Sequence, residues 1–182
     1  MIMNTPNKLT LLRVVLVPVF MALALIEGTG FKIAALAVFI LASLTDYFDG
    51  QLARKNNMVT TFGKFADPLA DKMLTSAAFL VFTCMDLISP WVLMIVLFRE
   101  FAVSGVRLVA AGTGEIIAAS FWGKLKTVSQ MIAIIITFLL MIISVGDISG
   151  IIINVAVWIS TVLTLISGAD YIMKCRGLLT FK

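Results

Sequence analysis

Four aspartates lie close together between residues 46 and 71 of a strongly apolar chain. They occur in the stretch TDYFDGQLARKNNMVTTFGKFADPLADK, residues 45–72, as Asp46, Asp49, Asp67 and Asp71. Because carboxylates are costly in or near a lipid bilayer, such a group indicates a functional site. Four ionised carboxylates held close together would repel one another strongly. Either some of them are protonated or hard cations lie among them, and Mg²⁺, Mn²⁺ and Ca²⁺ suit oxygen ligands.

On the first predicted helix, two aspartates share a face with small residues. At about 100° per residue, Asp46, Asp49, Gly50 and Ala53 fall within an arc of about 100°. Arg54 lies at the edge of that face, one turn further along. The small side chains would leave room for a substrate against the helix, and Arg54 could hold a phosphate oxygen.

The second predicted helix repeats this arrangement, with Gly63, Asp67 and Asp71 recurring every four residues. The segment KNNMVTT between the helices predicts a short turn, because Asn suits a helix C-terminus and Thr suits an N-cap. The two helices are then antiparallel neighbours, and the four aspartates lie at matching depths and can converge. Pro68 either kinks the second helix or marks where regular helix resumes.

Paired divalent ions would cancel the four carboxylate charges, and such pairs recur in phosphoryl transfer. The chain contains no histidine, which excludes His-dependent triads and His-ligated zinc. A carboxylate is therefore the expected general base, and Asp71 is the candidate. The alternative is that these aspartates only cap a solvated cytoplasmic turn.

The composition predicts an all-α integral membrane protein with one domain, residues 1–182. Hydrophobic residues make up 61% of the chain and charged residues 13%, against about half and a quarter in soluble domains. Six apolar segments predict six transmembrane helices: Leu9–Ile26, Ile33–Leu44, Leu74–Met85, Leu87–Phe98, Val128–Val145 and Ile151–Gly168. Three of these segments are shorter than the 20 or so residues that a span needs, so the middle helices are expected to line a polar cavity open to the cytoplasm.

The cations are distributed unevenly between the two predicted faces of the membrane. With six spans, every Lys and Arg except Lys32 falls on one face. The positive-inside rule then places both termini and the aspartates in the cytoplasm. Arg13, within the first segment, is interpreted as an interfacial residue whose head group reaches water, although it could face the cavity.

A second charged group follows the fourth apolar segment. It consists of Arg99, Arg107, Lys124 and Lys126. Arg99 and Arg107 are about 80° apart around a helix, so both can face one pocket and bind the phosphate of an acceptor. The alternative is that these cations only set topology and attract anionic lipid head groups. Glu100 is expected to pair with one of its cationic neighbours.

The aspartate spacing resembles the signature of the CDP-alcohol phosphotransferase family. The matching string is Asp46-x2-Asp49-Gly50-x2-Ala53-Arg54-x8-Gly63-x3-Asp67-x3-Asp71. The resemblance implies a six-helix membrane bundle, usually dimeric, with a cytoplasmic active site. It also implies that the four aspartates hold two Mg²⁺ or Mn²⁺ ions and that Asp71 takes a proton from the attacking hydroxyl. The resemblance further implies that the CDP group is contacted by Asp46, Gly50, Ala53, Arg54 and Gly63.

Further strings narrow the resemblance within the family. They are NTPNKLTLLRVVLVPVF, GKFADPLADK, REFAVSGVRL and GKLKT. They are similar to bacterial members that move a phosphatidyl group from CDP-diacylglycerol to sn-glycerol 3-phosphate and release CMP. The expected partners are these substrates, membrane lipids and a second copy of the chain, but no nucleic acid. The alternatives are another acceptor, such as inositol phosphate or serine, or a cation transporter with ion-binding carboxylates.

Overall fold

The computed structural model describes the backbone of residues 5–55, 61–112, 120–143 and 146–176. Side chains are described at residues 10–45, 70, 72–110, 112, 120–143, 146 and 148–176. Within these ranges the chain forms six α-helices, so the predicted all-α class is confirmed. The helices are α1 (Thr5–Leu25), α2 (Thr29–Lys55), α3 (Thr61–Cys84), α4 (Pro90–Gly112), α5 (Phe121–Ile143) and α6 (Asp147–Lys174).

Two segments in the described part of the chain are long and apolar enough to cross a membrane by themselves. They are Phe121–Ile143 and Ile148–Lys174. Among the described side chains, apolar stretches of the first three helices lie at Thr10–Leu25, Thr29–Thr45 and Lys72–Cys84. Polar residues extend α2 and α3 well beyond their apolar parts, as the short apolar segments of the sequence predict.

The chain divides into two compact units, and the boundary lies inside α3 between Val81 and Phe82. In the first unit, α1 packs on α2. The buried residues of α1 recur every three or four positions, as on one helix face: Thr10, Arg13, Val17, Phe20 and Ala24. The facing residues of α2 are Lys32, Ala35, Leu36, Phe39 and Ala42. The rings of Phe20 and Phe39 meet with centroids 5.8 Å apart, and the alanines allow close approach of the backbones.

The opposite faces of α1 and α2 are apolar and exposed. Val15 is 54% exposed and Leu41 is 61% exposed, a distribution expected where a helix surface contacts lipid. Arg13, by contrast, is only 1% exposed. The interfacial interpretation of Arg13 is therefore wrong, because position 13 falls on the same helix face as Thr10 and Val17.

The turn between α1 and α2 uses a glycine and a buried lysine. Gly28 has a φ of +116°, which L side chains rarely adopt, and its carbonyl accepts hydrogen bonds from the N–H groups of Phe31 and Lys32. The Lys32 ammonium donates back to the carbonyl of Ala24 in the last turn of α1. A cation at a helix C-terminus satisfies an otherwise unpaired carbonyl and opposes the helix dipole.

The turn between α3 and α4 is a Schellman motif. The N–H of Leu87 bonds to the carbonyl of Phe82 at 3.0 Å, and the N–H of Asp86 bonds to that of Thr83 at 3.1 Å. Asp86 has a φ of +55°, in the left-handed region that Asp tolerates better than most residues. The next helix then begins at Pro90, a favoured first helical residue because its missing N–H is not needed there.

The second unit contains α4, most of α5 and α6. Contacts between α4 and α6 advance along both helices in the same direction, from Arg99 with Ser167 to Arg107 with Tyr171. These two helices are therefore parallel. Contacts between α5 and α6 run the other way, since Ser120 bonds to Asp170 and Gln130 bonds to Thr164. The directions of α4, α5 and α6 thus alternate, as successive membrane spans require.

Phe138 provides a test of packing in the second unit. Its ring lies 5.3 Å from that of Phe82, and both side chains are fully buried. Phe138→Ala should lower the free energy of unfolding by about 3 kcal/mol, since it leaves a large cavity. Thermal unfolding in detergent would measure this loss. Phe98→Ala is the matched control because Phe98 is 72% exposed, and equal losses from both variants would contradict the described core.

Candidate functional site

The predicted acidic site lies on two helices whose backbone is described. Asp46 and Asp49 belong to α2, which ends at Lys55, while Asp67 and Asp71 belong to α3, which begins at Thr61. These bounds agree with the predicted helix ends. The side chains of the predicted residues lie outside the described ones: Asp46, Asp49, Gly50, Ala53, Arg54, Gly63, Asp67 and Asp71. Their convergence and their contacts to CDP or metal therefore stay predictions.

Pro68 lies within α3, which is helical on both sides of it. The alternative in which regular helix only resumes at Pro68 is therefore wrong. A helix can continue past proline when the loss of one backbone hydrogen bond is offset by its other contacts.

The second charged group is organised by one carboxylate on α4. Glu100 Oε1 accepts hydrogen bonds from Lys126 Nζ on α5 and, at 3.1 Å, from Arg99 Nη1. The side chains of Glu100 and Lys126 are each 8% exposed and that of Arg99 is 11% exposed. The predicted pairing of Glu100 with a neighbouring cation is confirmed. The three groups leave one net positive charge in a nearly dry environment.

Small residues of α5 and α6 surround the Arg99 side chain. Arg99 Nη2 donates to Ser167 Oγ at 2.5 Å. A Cβ added at Gly123 would lie 4.0 Å from the same nitrogen, and one added at Gly168 would lie 3.1 Å from Arg99 Cγ. The guanidinium therefore lies where α4, α5 and α6 approach one another closely.

The start of α5 is fixed by a cap connected to α6. Ser120 Oγ accepts the N–H of Gly123 at 3.1 Å, as an N-cap residue does. The Ser120 hydroxyl is also hydrogen-bonded to Asp170, whose carboxylate accepts from Lys174 one turn later. This connection fixes the first turn of α5 relative to α6, and that turn carries Lys124 and leads directly to Lys126.

Arg107 lies two turns further along α4 than Arg99. Its Nε donates to the hydroxyl of Tyr171 at 3.2 Å, and its guanidinium carbon is 5.5 Å from the centroid of that ring. Tyr171 is buried with Val103 and Cys175. Both arginines therefore face α6, as their separation around the helix predicts, at heights about 12 Å apart.

Lys124 is not brought to the Glu100 carboxylate. It is exposed, whereas Lys126 is buried. Two positions along an α-helix correspond to a rotation of about 200°, so the two lysines point to nearly opposite sides of α5.

Sequence reasoning missed the contributions of α6, namely Ser167, Gly168, Asp170 and Tyr171. They form the string SGADY at the end of an apolar segment. Polar residues inside a membrane span are unusual and are often functional, so this cluster was the available signal. It could not identify Arg99 and Arg107 as the partners, because the pairing depends on how α4 packs on α6.

Comparison with known proteins identifies the family. Residues 3–166 match the family model of the CDP-alcohol phosphatidyltransferases. The CDP-diacylglycerol–glycerol-3-phosphate 3-phosphatidyltransferase of Bacillus subtilis strain 168 is 43% identical, over 94% of each chain. The protein of the same name in Rickettsia typhi is 38% identical, over 95% of this chain and 97% of the relative. The one in Escherichia coli K12 is 39% identical, over 72% of this chain and 74% of the relative.

The chain therefore belongs to the CDP-alcohol phosphatidyltransferase family and is a phosphotransferase enzyme. The resemblance seen in the aspartate spacing is confirmed, and the transporter alternative is set aside. Its two long apolar helices and its family membership indicate a membrane-bound enzyme related to bacterial proteins.

Proposed function

We propose that the protein is a phosphatidylglycerophosphate synthase of the bacterial cytoplasmic membrane. It would transfer a phosphatidyl group from CDP-diacylglycerol to sn-glycerol 3-phosphate and release CMP, a step of phosphatidylglycerol synthesis. The observation that carries this proposal is the 43% identity, across 94% of both chains, to a protein named for that reaction. The cationic group on α4 and α5 supports it from the structure.

The acceptor carries a phosphate with up to two negative charges, which needs several cationic donors. Arg99 and Lys126 meet at Glu100 with one net positive charge. The Nε of Arg99 is buried and has no hydrogen-bond partner among the described residues, so a bound phosphate oxygen would satisfy it. Arg107 extends the same face of α4, and the exposed Lys124 would draw the anion in by its longer-range field. Serine as acceptor would need fewer cations.

The four aspartates fit a pair of Mg²⁺ or Mn²⁺ ions. Asp46 and Asp49 are three residues apart on observed helix, and Asp67 and Asp71 are four apart, so each pair lies on one helix face. Carboxylates alone are the donor set that such hard ions prefer. When bound, the ions would neutralise the carboxylates and stabilise negative charge on the diphosphate.

The chemistry assigned to the chain is a direct displacement at phosphorus. Asp71 accepts the proton of the 1-hydroxyl of glycerol 3-phosphate. That oxygen forms a bond to the phosphatidyl phosphorus, and the bond from this phosphorus to the oxygen of CMP breaks. The CDP group would lie against Asp46 and the small residues Gly50, Ala53 and Gly63. Arg54 would donate a hydrogen bond to a phosphate oxygen.

The membrane placement assigned to the chain is that of six spans. Both termini, the aspartates and a polar cavity lie on the cytoplasmic side, where nearly all Lys and Arg residues of the sequence fall. The alternating directions of α4, α5 and α6 support this topology. Lipid tails of the donor would lie along the exposed apolar surfaces, and the enzyme would act as a homodimer.

An acceptor assay tests the proposed reaction directly. Purified protein in mixed micelles with CDP-diacylglycerol should release CMP with sn-glycerol 3-phosphate, and not with serine or inositol phosphate. A chelator should abolish the release, and Mg²⁺ or Mn²⁺ should restore it. Release with a different acceptor would contradict the proposed substrate, and release that resists the chelator would contradict the metal assignment.

Replacing single aspartates tests the acidic site. Asp67→Asn removes a proposed metal ligand and Asp71→Asn removes the proposed general base. Each should reduce kcat by at least about 10²-fold, the lower end of the range for loss of a general base. Both variants should remain folded in detergent. Asp86→Asn is the matched control, because Asp86 is exposed in a turn and its left-handed φ suits Asn equally well. Activity of the wild-type level in either site variant would refute its role.

Removing the Arg99 charge tests the acceptor site. Arg99→Gln should raise the KM for glycerol 3-phosphate by about 10-fold to 100-fold, because that is the loss of affinity expected when one charge-assisted hydrogen bond is removed. The KM for CDP-diacylglycerol should change little. Arg176→Gln removes one cation from an exposed position of the same unit and should change neither constant. Parallel increases in both KM values for Arg99→Gln would indicate a general defect instead.

A further inference from the structure

Glu100 is a buried carboxylate to which the proposed chemistry gives no direct task. Its Oε1 is shared by Arg99 and Lys126, from two different helices. Without that carboxylate the two cations would be close together, nearly dry and mutually repulsive. Buried charges that lose their partner are strongly destabilised and move away or recruit water. The positions of both cations therefore depend on Glu100.

Gly168 limits the other side of Arg99. Its φ lies outside the left-handed region, so the backbone does not require glycine there. A Cβ at this position would lie 3.1 Å from Arg99 Cγ, closer than ordinary van der Waals contact. An alanine would therefore displace the arginine side chain near its base, whereas its other end is held by Glu100 and Ser167.

We propose that Glu100 and Gly168 are positioning residues of the acceptor site, which together fix the Arg99 guanidinium and the Lys126 ammonium for an incoming phosphate. Glu100 fixes the two cations by charge and hydrogen bonding, and Gly168 provides the space through which the Arg99 side chain passes α6. This inference rests on the proposed function, because it assumes a phosphate-bearing acceptor. Neither residue contacts the reacting atoms.

Glu100→Gln tests the electrostatic part. It should raise the KM for glycerol 3-phosphate about tenfold or more and leave the KM for CDP-diacylglycerol within about twofold. Glu100→Asp, which keeps the charge, should recover part of the loss. A residue with only a structural role would lower the amount of active enzyme and change both substrates alike, and that result would overturn the proposal for Glu100.

Gly168→Ala tests the steric part and does not remove a charge. It should raise the acceptor KM severalfold. Gly150→Ala is the matched control, because it is the same change in the same helix and a Cβ there meets nothing within 4 Å. In an Arg99→Ala background the Gly168→Ala change should have no further effect, since the atom that it would meet is gone. An equal additional loss in that background would refute action through Arg99.

The outcomes separate this inference from the proposed reaction. If the wild-type enzyme uses inositol phosphate instead of glycerol 3-phosphate, the proposed acceptor is wrong, and the variants are assayed with inositol phosphate. A selective rise in that KM supports the positioning role, and an unchanged KM refutes it. If the wild-type enzyme uses only serine, both proposals fail. If Glu100→Gln does not fold, the Gly168→Ala series decides the question.

Discussion

A charge buried among apolar helices is stable only when neighbouring groups compensate it. The second unit satisfies this constraint at Glu100, where one carboxylate holds Arg99 from its own helix and Lys126 from α5. Two further polar contacts join neighbouring helices of the same unit. Ser167 Oγ accepts a hydrogen bond from Arg99 Nη2. Gln130 bonds to Thr164, which lies one turn before Ser167 on α6. The charged group and the helix packing are therefore parts of one structure.

Among the described residues, polar side chains are buried beside apolar ones, and many large apolar side chains are exposed. Thr137, Ser160 and Thr161 are fully buried, and their hydroxyls bond to backbone carbonyls of their own helices. Large apolar residues such as Phe101 and Leu108 are more than 70% exposed on α4. Because lipid offers no hydrogen bonds, each polar group inside the helices needs an internal partner. The burial of these hydroxyls is what a lipid environment favours, since each has an internal acceptor.

The sequence predicts those features that depend on local periodicity and fails for those that depend on packing. Six apolar segments correspond to the six helices, and the pairing of Glu100 follows from its neighbours in the chain. Arg13 was misassigned because its burial depends on how α1 lies on α2, which no single segment reveals. Lys124 and Lys126 look equivalent in the sequence, yet only Lys126 reaches Glu100, because α5 is already helical at both positions. The acidic spacing identified the family without any tertiary information, since its residues lie within two adjacent helices.

The two charged groups of this enzyme share one physical principle with opposite signs. In the proposed acidic site, the four aspartates of α2 and α3 would carry more negative charge than Arg54 balances, and bound cations would offset that charge. In the proposed acceptor site, the buried Nε of Arg99, which has no hydrogen-bond partner among the described residues, would donate to a bound anion. Under the proposed function, each group would be completed by a ligand of the opposite charge. In a low-dielectric environment such a charge balance would contribute to affinity and selectivity. A neutral acceptor would not offset the cationic group, and a monovalent ion would leave the proposed carboxylate cluster largely uncompensated.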